Sequence, residues 1–167
     1  GRARHFNDLV KQRWSKPDSS RNYIISRLQA TPGATLLDIG AGTGAWAVLL
    51  AKHVRKVTAV EPSSGMIEIL KENVSAEGLN NVETIQGSWP GVETATYDYS
   101  ICSHAMYGCY DLPAFVRKML AVTKRTCFLL LRAPVAGSVM SRIAEHIWGH
   151  PHDSTNFQVA YNVLLQM

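Results

Sequence analysis

DIGAGTG, residues 38–44, completes a short apolar run, ATLLDI at 34–39, and precedes a helical pattern that begins at Ala45. Three glycines within five residues predict a tight turn from a strand into a helix, where the backbone can approach a ligand closely. With Ala45 the stretch also reads G-x-G-x-x-A, the spacing of loops that bind adenosine cofactors. It therefore predicts an α/β fold with a cofactor site at the carboxyl end of its first strand.

Strand-like and helical runs alternate around this loop. Helical spacing predicts two helices ahead of it, at 5–15 and 19–30. The runs that follow predict strands at 34–39, 56–61, 81–86, 97–102 and 125–133, with helices at 45–53, 63–77, 111–122, 138–148 and 155–166. Because this alternation is typical of parallel sheets covered on both faces, we expect a doubly wound, mainly parallel sheet with additional N-terminal helices.

The length and composition of the chain predict one globular domain over 1–167. Of its 167 residues 46% are apolar and 18% are charged, and no apolar run is long enough to cross a membrane. We expect an N-terminal helical lid at 1–31, a cofactor-binding core at 34–133 and a helical C-terminal segment at 134–167. That last segment is expected to be truncated, because it stops inside an apolar periodic run. Three cysteines without C-x-x-C spacing predict a reducing compartment and a cytoplasmic location.

The positive charge is concentrated at the N-terminus. The net charge is +4, and residues 1–30 hold seven Lys or Arg but two acids. This segment could contact RNA, a membrane surface or an acidic substrate, or it could be a solvated helix face. The cations that would hold RNA are Arg2, Arg4, Lys11, Arg13 and Lys16.

Two acids narrow the choice of cofactor. Glu61 ends the second predicted strand, where a carboxylate can accept hydrogen bonds from the ribose hydroxyls of either a nicotinamide cofactor or S-adenosylmethionine. Asp38 lies two residues before Gly40, and there it would repel the pyrophosphate of a dinucleotide. The sulfonium and ammonium groups of S-adenosylmethionine would instead be attracted. Asp38 thus favours the methyl donor.

D-x-G-x-G-x-G at 38–44, the strand-end Glu61 and S-x-x-M at 63–66 together resemble the class I S-adenosylmethionine-dependent methyltransferases, most of all their small-molecule group. The resemblance extends over about residues 34–133. It implies methyl transfer from S-adenosyl-L-methionine to a small-molecule acceptor, with S-adenosyl-L-homocysteine as product. It also implies a sheet of order 3-2-1-4-5. The antiparallel hairpin that completes the family's sheet is expected to be missing, which would leave an exposed edge through which the protein could dimerise.

The resemblance also assigns the cofactor site. Ser88 and Trp89 stand where the family often has an adenine-binding Asp, so they would contact the adenine instead. Met66 at the start of a helix could line the pocket or belong to the core, and Gly44 could serve close packing alone. The residues expected to bind the cofactor are Asp38, Gly40, Ala41, Gly42, Gly44, Glu61, Pro62, Met66, Ser88, Trp89 and Ser103.

Candidate catalytic residues lie in SHAMYGCY, residues 103–110, which follows the fourth predicted strand. His104 and Tyr107 are expected to act on the acceptor. His104 could be a general base or could position the acceptor, and alignment alone could also suffice. The segment lacks N-P-P-Y, a Pro-Cys pair and paired glutamates, which favours a small molecule over DNA bases or arginine.

Three alternatives remain open on the sequence alone: an RNA methyltransferase, an NAD-dependent oxidoreductase and a cofactor-binding module without activity. A zinc site is a further alternative, with His146, His150, His152 and Asp153 as its ligands. Gly149 and Pro151 interrupt the helix between these side chains, so we expect no bound metal and interpret the cluster as a polar loop.

Overall fold

The computed structural model describes residues 1–131, 139–149 and 157–167 of the chain. Seven helices and five strands occur in these ranges. In chain order they are α1 (Arg2–Trp14), α2 (Ser19–Gln29), β1 (Thr35–Ile39), α3 (Ala45–Ala51), β2 (Lys56–Glu61), α4 (Ser64–Ala76), β3 (Val82–Gln86), β4 (Tyr97–Ser103), α5 (Leu112–Ala121), β5 (Thr123–Leu130), α6 (Val139–Trp148) and α7 (Phe157–Leu165).

The five strands form one parallel sheet. Their order is β3-β2-β1-β4-β5, so the strand order reverses at β1, which lies between β2 and β4. This confirms the predicted order, and the described residues contain no further strand. In such a sheet the ligand site is expected at the carboxyl ends of the strands beside the reversal.

An apolar cluster covers each face of the sheet. Because successive side chains of a strand point to opposite faces, Leu36 lies in one cluster and Leu37 in the other. The Leu36 cluster includes Leu28 of α2 and Leu50 of α3. The Leu37 cluster includes Phe115 of α5 and Ala160 of α7. The doubly wound architecture predicted from the alternation is thereby confirmed.

Polar side chains fix the starts of three helices. Asp18 accepts a hydrogen bond from the Ser20 N–H at the start of α2. Ser63 accepts one from the Met66 N–H in α4, and Asp111 one from the Ala114 N–H in α5. Each bond satisfies a donor that the first helical turn cannot pair internally. The helices predicted to begin at 63 and 111 are therefore confirmed at their starts to within one residue.

The fifth strand differs from its prediction. β5 begins at Thr123, two residues before the expected start at 125, and ends at Leu130, while positions 132 and 133 of the expected strand lie outside the described residues. Phe128 is its most buried residue. Within the described residues β5 pairs with β4 alone. Its apolar side chains nevertheless pack on both faces of the sheet, because Phe128 lies in the Leu36 cluster and Leu129 packs against the Leu37 cluster.

Helix α1 rests on α4 and on the glycine loop. Arg4 makes a bidentate ion pair with Glu72, with N···O distances of 2.8 and 3.0 Å. The side-chain amide of Asn73 donates to Asn7 Oδ1 at 3.0 Å and to the Thr43 carbonyl at 2.8 Å. One amide thus links α1 to the loop that precedes α3.

Helix packing requires a glycine at position 44. Its φ is +85°, and a Cβ built there would lie 2.6 Å from Leu70 Cγ on α4. Gly78 has a similar φ of +64°, but a Cβ there would meet nothing within 4 Å. The two positions therefore share the backbone conformation and differ in the space available.

We expect Gly44→Ala to destabilise the protein more than Gly78→Ala. The left-handed backbone should cost about 1–2 kcal/mol at each position. The contact with Leu70 should add about 1–3 kcal/mol at position 44 alone. Urea unfolding followed by circular dichroism measures both free energies of unfolding. Equal losses would contradict the packing role of Gly44.

Candidate active site

The glycine loop turns back on itself at the carboxyl end of β1. Gly40, Gly42 and Gly44 all have positive φ, at +71°, +57° and +85°. A Cβ at Gly40 would lie 2.2 Å from the Ala105 Cβ, so the loop and the segment after β4 approach closer than any other residue permits. Glycine at position 40 is thus required both by conformation and by contact.

The Glu61 carboxylate joins the loops that follow β1 and β2. Its Oε2 accepts a hydrogen bond from the Gly42 N–H at 2.9 Å, and its Oε1 accepts one from the Ser63 N–H at 3.0 Å. The residue is 8% exposed. A carboxylate offers about four acceptor positions, so two remain for ribose hydroxyls. Besides the predicted binding role, Glu61 therefore has a structural role that the sequence did not reveal.

Asp38 is buried beside this loop with one unsatisfied oxygen. The residue is 2% exposed, and its Oδ2 has no hydrogen-bond partner among the described residues. Burial raises the pKa of Asp38 to about 7; a hydrogen bond from the Ala47 N–H opposes this rise, and the Glu61 charge adds to it. A cationic group nearby would stabilise the ionised form and supply the missing partner.

A cleft of about 270 Å³ lies at the carboxyl ends of β1, β2 and β3. Gly40, Pro62, Ser88 and Trp89 line it, so four of the predicted cofactor residues come together there. Its other lining residues are Ile39, Val60, Gly87, Ala105, Gly108, Cys109 and Phe115. The cleft is where the strand reversal predicts a ligand.

The Trp89 side chain is held from α5. Its indole N–H donates to the Phe115 carbonyl at 3.1 Å, and the two rings meet edge to face at 6.3 Å. Neither Phe115 nor Gly87 was predicted as a site residue. A glycine directly after a strand could have indicated Gly87 as a site residue. In the structure a Cβ at this position would lie 2.2 Å from Val92 Cγ1. Phe115 carries an ordinary helical core pattern and gave no signal.

Other predicted cofactor residues do not line the cleft. Met66 is half-buried in the first turn of α4, where its N–H is capped by Ser63. Thr43 and Gly44 border a second cavity of about 260 Å³ between α1, α3 and α4, together with Asn7, Trp14 and Asn73. Of the predicted set, Asp38, Ala41, Gly42, Gly44, Glu61, Met66 and Ser103 are not among the residues that line the cleft.

The structure brings the two candidate catalytic residues together. His104 Nδ1 lies 2.6 Å from the Tyr107 hydroxyl, and the two rings stack at 5.9 Å. His104 has a φ of +56°, a left-handed conformation that a non-glycine residue adopts at a cost in energy. The backbone N–H of His104 donates to the Leu130 carbonyl at 3.0 Å, and this bond anchors the turn to the end of β5. The imidazole is thus exposed and held by its neighbours at the carboxyl end of the sheet.

The cysteines differ in exposure. Cys109 lines the cleft, whereas Cys102 is buried in β4. Burial raises the pKa of the Cys102 thiol to about 12, so this thiol stays protonated at neutral pH. Cys102 is a core residue, as its apolar surroundings in the sequence indicate.

The histidine cluster of the C-terminal segment is described only in part. His146 lies on α6, and His150, His152 and Asp153 fall outside the described residues. Within the ranges that are described, no group of three or more His, Cys, Asp or Glu side chains is placed to hold a metal. The helices in the same ranges are all too short or too polar to span a bilayer.

Comparisons with known proteins identify the kind of domain. A family model described as a methyltransferase domain matches residues 36–126, more than half of the chain. A protein from Methanosphaera stadtmanae described as a probable ribosomal RNA small subunit methyltransferase A is 31% identical over 103 residues, which cover 58% of this chain and 38% of that protein. Malonyl-[acyl-carrier protein] O-methyltransferase from Serratia marcescens is 28% identical over 110 residues, which cover 65% and 41%.

A solved structure has the same fold. Magnesium protoporphyrin IX methyltransferase from Synechocystis, with S-adenosylhomocysteine bound, superimposes with a TM-score of 0.69 at 18% identity. The match covers 89% of this chain and 70% of that one. The chain spans about two fifths of the length of the two curated relatives.

Stability should depend on pH through Asp38. The folded protein holds this proton up to about pH 7, whereas the ordinary pKa is 3.8. The contribution of the protonated carboxyl is therefore full below about pH 4 and is lost as pH rises through about 7. We expect the free energy of unfolding without ligand to fall between about pH 4 and pH 7, and Asp38→Asn to reduce this dependence. Urea unfolding at several pH values measures it; an unchanged slope in the variant would contradict the assignment.

Proposed function

Because the chain belongs to the class I S-adenosylmethionine-dependent methyltransferase family, we propose that it transfers a methyl group from S-adenosylmethionine to a small-molecule acceptor. The curated relatives are more than twice as long as the matched part, so activity and acceptor are inferred for this chain from its own residues. The observation that carries the proposal is the buried Asp38 carboxyl with its unpaired oxygen next to the glycine loop. A cofactor with cationic groups fits that site, and a pyrophosphate does not.

The proposed cofactor site combines the loop and the cleft. The methionine part of the cofactor would be held by Asp38, Gly40, Ala41 and Gly42. Gly44 would support the loop by letting it pack closely against Leu70. Glu61 would accept the ribose hydroxyls with its remaining acceptor positions. The residues proposed to enclose the adenine and the methyl-bearing end are Pro62, Met66, Ser88, Trp89 and Ser103. S-adenosylmethionine would supply an already activated methyl group, and the protein would then contribute alignment and the exclusion of water.

His104 and Tyr107 are proposed to act on the acceptor. The Tyr107 hydroxyl lies 2.6 Å from Nδ1 of His104 and fixes the ring orientation. The imidazole would accept the proton that an O–H or N–H acceptor must lose, because histidine is the side chain that most often acts as a general base. If the acceptor carries no such proton, the same ring would position it.

The acceptor is proposed to be a small metabolite. The Serratia relative is named as acting on malonyl-acyl-carrier protein, and the Synechocystis structure on magnesium protoporphyrin IX. The N-terminal segment 1–31 would cover the site, with α1 as the moving part. In support, α2 places Leu28 in the core, whereas the N-terminal half of α1 is held by polar contacts to Glu72 and Asn73. The C-terminal end of α1 packs against the core through Trp14 and would stay in place.

RNA is a second candidate acceptor. The Methanosphaera relative is described as acting on ribosomal RNA, and the N-terminal segment is basic. Two of its cations, however, have partners within the protein. Arg4 pairs with Glu72, and Arg21 donates to the carbonyls of Trp14 and Lys16. RNA binding through phosphate contacts would weaken steeply as salt is raised, which distinguishes the two acceptors.

We further infer a reducing, cytoplasmic compartment and a dimer through the sheet edge. All three cysteines are free thiols, which supports the first inference. The free edge of β5 within the described residues supports the second. Light scattering on the purified protein measures its mass, and a monomer at high concentration would exclude the dimer.

Two measurements test the proposed function. Calorimetric titration should show binding of S-adenosylhomocysteine and none of NADH, whereas an oxidoreductase would reverse this result. Incubation with methyl-labelled S-adenosylmethionine and fractionated metabolite extract should then label a small molecule. Binding without transfer to any small molecule or RNA would instead support a module without activity.

Glu61→Ala should weaken the binding of S-adenosylhomocysteine by about 1.5–3 kcal/mol, the scale for losing charge-assisted hydrogen bonds. It should also lower the free energy of unfolding, because the N–H groups of Gly42 and Ser63 lose their acceptor. Calorimetry and urea unfolding separate the two effects. Glu68→Ala, which removes an exposed acid from α4, is the matched control and should change neither. Unchanged affinity in Glu61→Ala would remove it from the ribose site.

His104→Ala should lower kcat by roughly 10²–10⁴ if the imidazole is the base, with the affinity for S-adenosylhomocysteine unchanged. If it only positions the acceptor, the loss should appear in KM. Tyr107→Phe removes the hydroxyl that faces Nδ1 and should cost about 10-fold, the effect of one hydrogen bond. Tyr110→Phe is the control, since Tyr110 is fully exposed. Full activity in His104→Ala would leave catalysis to alignment.

A further inference from the structure

The loop between β3 and β4, residues 87–96, carries one wall of the cleft. Ser88 and Trp89 line the cleft from this loop, and Val92 folds back against Gly87. The Gly91 N–H donates to the Ser88 carbonyl at 2.8 Å, which closes a turn. The loop contacts the core through Trp89 and Val92, which pack against the Leu37 cluster. Its conformation therefore depends on the element against which it packs.

Lys118 on α5 binds this loop through its ammonium group. Nζ donates to the Pro90 carbonyl at 2.6 Å and also to the Val92 carbonyl. The same nitrogen lies 5.1 Å from the centroid of the Trp89 ring. The exposed Glu93 carboxylate is 3.9 Å away, at the limit of an ion pair. Two of the three N–H donors of the lysine thus bind carbonyls of the loop, and its charge lies against the indole.

Phe115, on the same helix, also contacts Trp89. Residues three apart on a helix share a face, so Phe115 and Lys118 both point towards the loop. The Phe115 carbonyl accepts the indole N–H at 3.1 Å, while Lys118 lies against the ring. The side chain of Lys118 is 23% exposed, well below that of a freely solvated lysine. Trp89 is therefore held at its N–H, its edge and its ring surface by one turn of α5.

We propose that Lys118 is a positioning residue for the cofactor: by binding the loop 87–96 it holds Trp89 in place as a wall of the cleft, and it thereby sets the affinity for the adenosine end. This rests on the proposed function, which places the adenosine in the cleft. Lys118 does not line the cleft itself and acts through Trp89. Without the ammonium group, the loop and the indole would become ordered only when the cofactor binds. The free energy of that ordering would then reduce the affinity.

The test compares three variants of the full chain. Lys118→Met keeps the apolar stem and removes the charge, and Lys118→Arg restores a cation. Arg117→Met is the matched control, because Arg117 is the neighbouring exposed cation on α5. Lys118→Met should raise the Kd for S-adenosylhomocysteine by about 3- to 10-fold, the effect of ordering one side chain and its loop. Lys118→Arg should recover most of the affinity, and Arg117→Met should match the wild type. A Kd for Lys118→Met within 2-fold of the wild type would overturn the proposal.

A double-mutant cycle separates positioning from a general loss of structure. If Lys118 acts through Trp89, adding Lys118→Met to Trp89→Phe should change the Kd by much less than Lys118→Met alone. Independent, additive effects would overturn the proposal.

If the wild type does not bind S-adenosylhomocysteine, the proposed function fails. A measurement without ligand still tests whether Lys118 holds the Trp89 indole in place. Lys118→Met should increase quenching of the Trp89 fluorescence by acrylamide, with Trp89→Phe providing the background. Unchanged quenching would show that Lys118 does not hold the indole.

Discussion

The carboxylate of Glu61 determines how the loops after β1 and β2 lie together, and the candidate site depends on this arrangement. The two strands are parallel neighbours, so their carboxyl ends meet and their loops compete for the same space. Glu61 accepts hydrogen bonds from the Gly42 and Ser63 N–H groups, and the Val60 carbonyl accepts from the Gly40 N–H. The same arrangement also requires glycine at positions 40 and 44, because Ala105 and Leu70 occupy the space that a side chain would need.

Most of the architecture was predictable from local patterns. Short apolar strands, helices of suitable length and the polar caps Ser63 and Asp111 specified both the elements and their alternation. The order of the strands followed from the resemblance carried by residues 38–44 and Glu61. The start of β5 was misplaced because its first two residues, Thr123 and Lys124, are polar, and no glycine or proline marks the boundary with α5. Where neither a breaker nor a change of period separates two elements, sequence alone does not locate the boundary.

The site was predictable at the glycine loop and at positions that end or directly follow a strand. The glycines and the strand-end acids stand out because few residue types tolerate those positions. Contacts between distant side chains left no such pattern. Lys118 is indistinguishable in sequence from a solvated helix lysine, although it binds two carbonyls 26 and 28 residues away along the chain. Phe115 likewise reads as a core residue and yet lines the cleft. Tertiary proximity, which local sequence does not encode, accounts for both omissions.

The amide of Asn73 places a joint restriction on the residue types at positions 7 and 73. It donates to a side-chain oxygen on α1 and to the Thr43 carbonyl, so position 73 must supply two N–H donors from a short side chain. Aspartate there would offer acceptors alone and would face two oxygens. Thr43 takes part through its backbone, so this contact does not restrict the identity of residue 43. Across a set of related sequences, residues 7 and 73 should therefore covary, while residue 43 should vary independently of both.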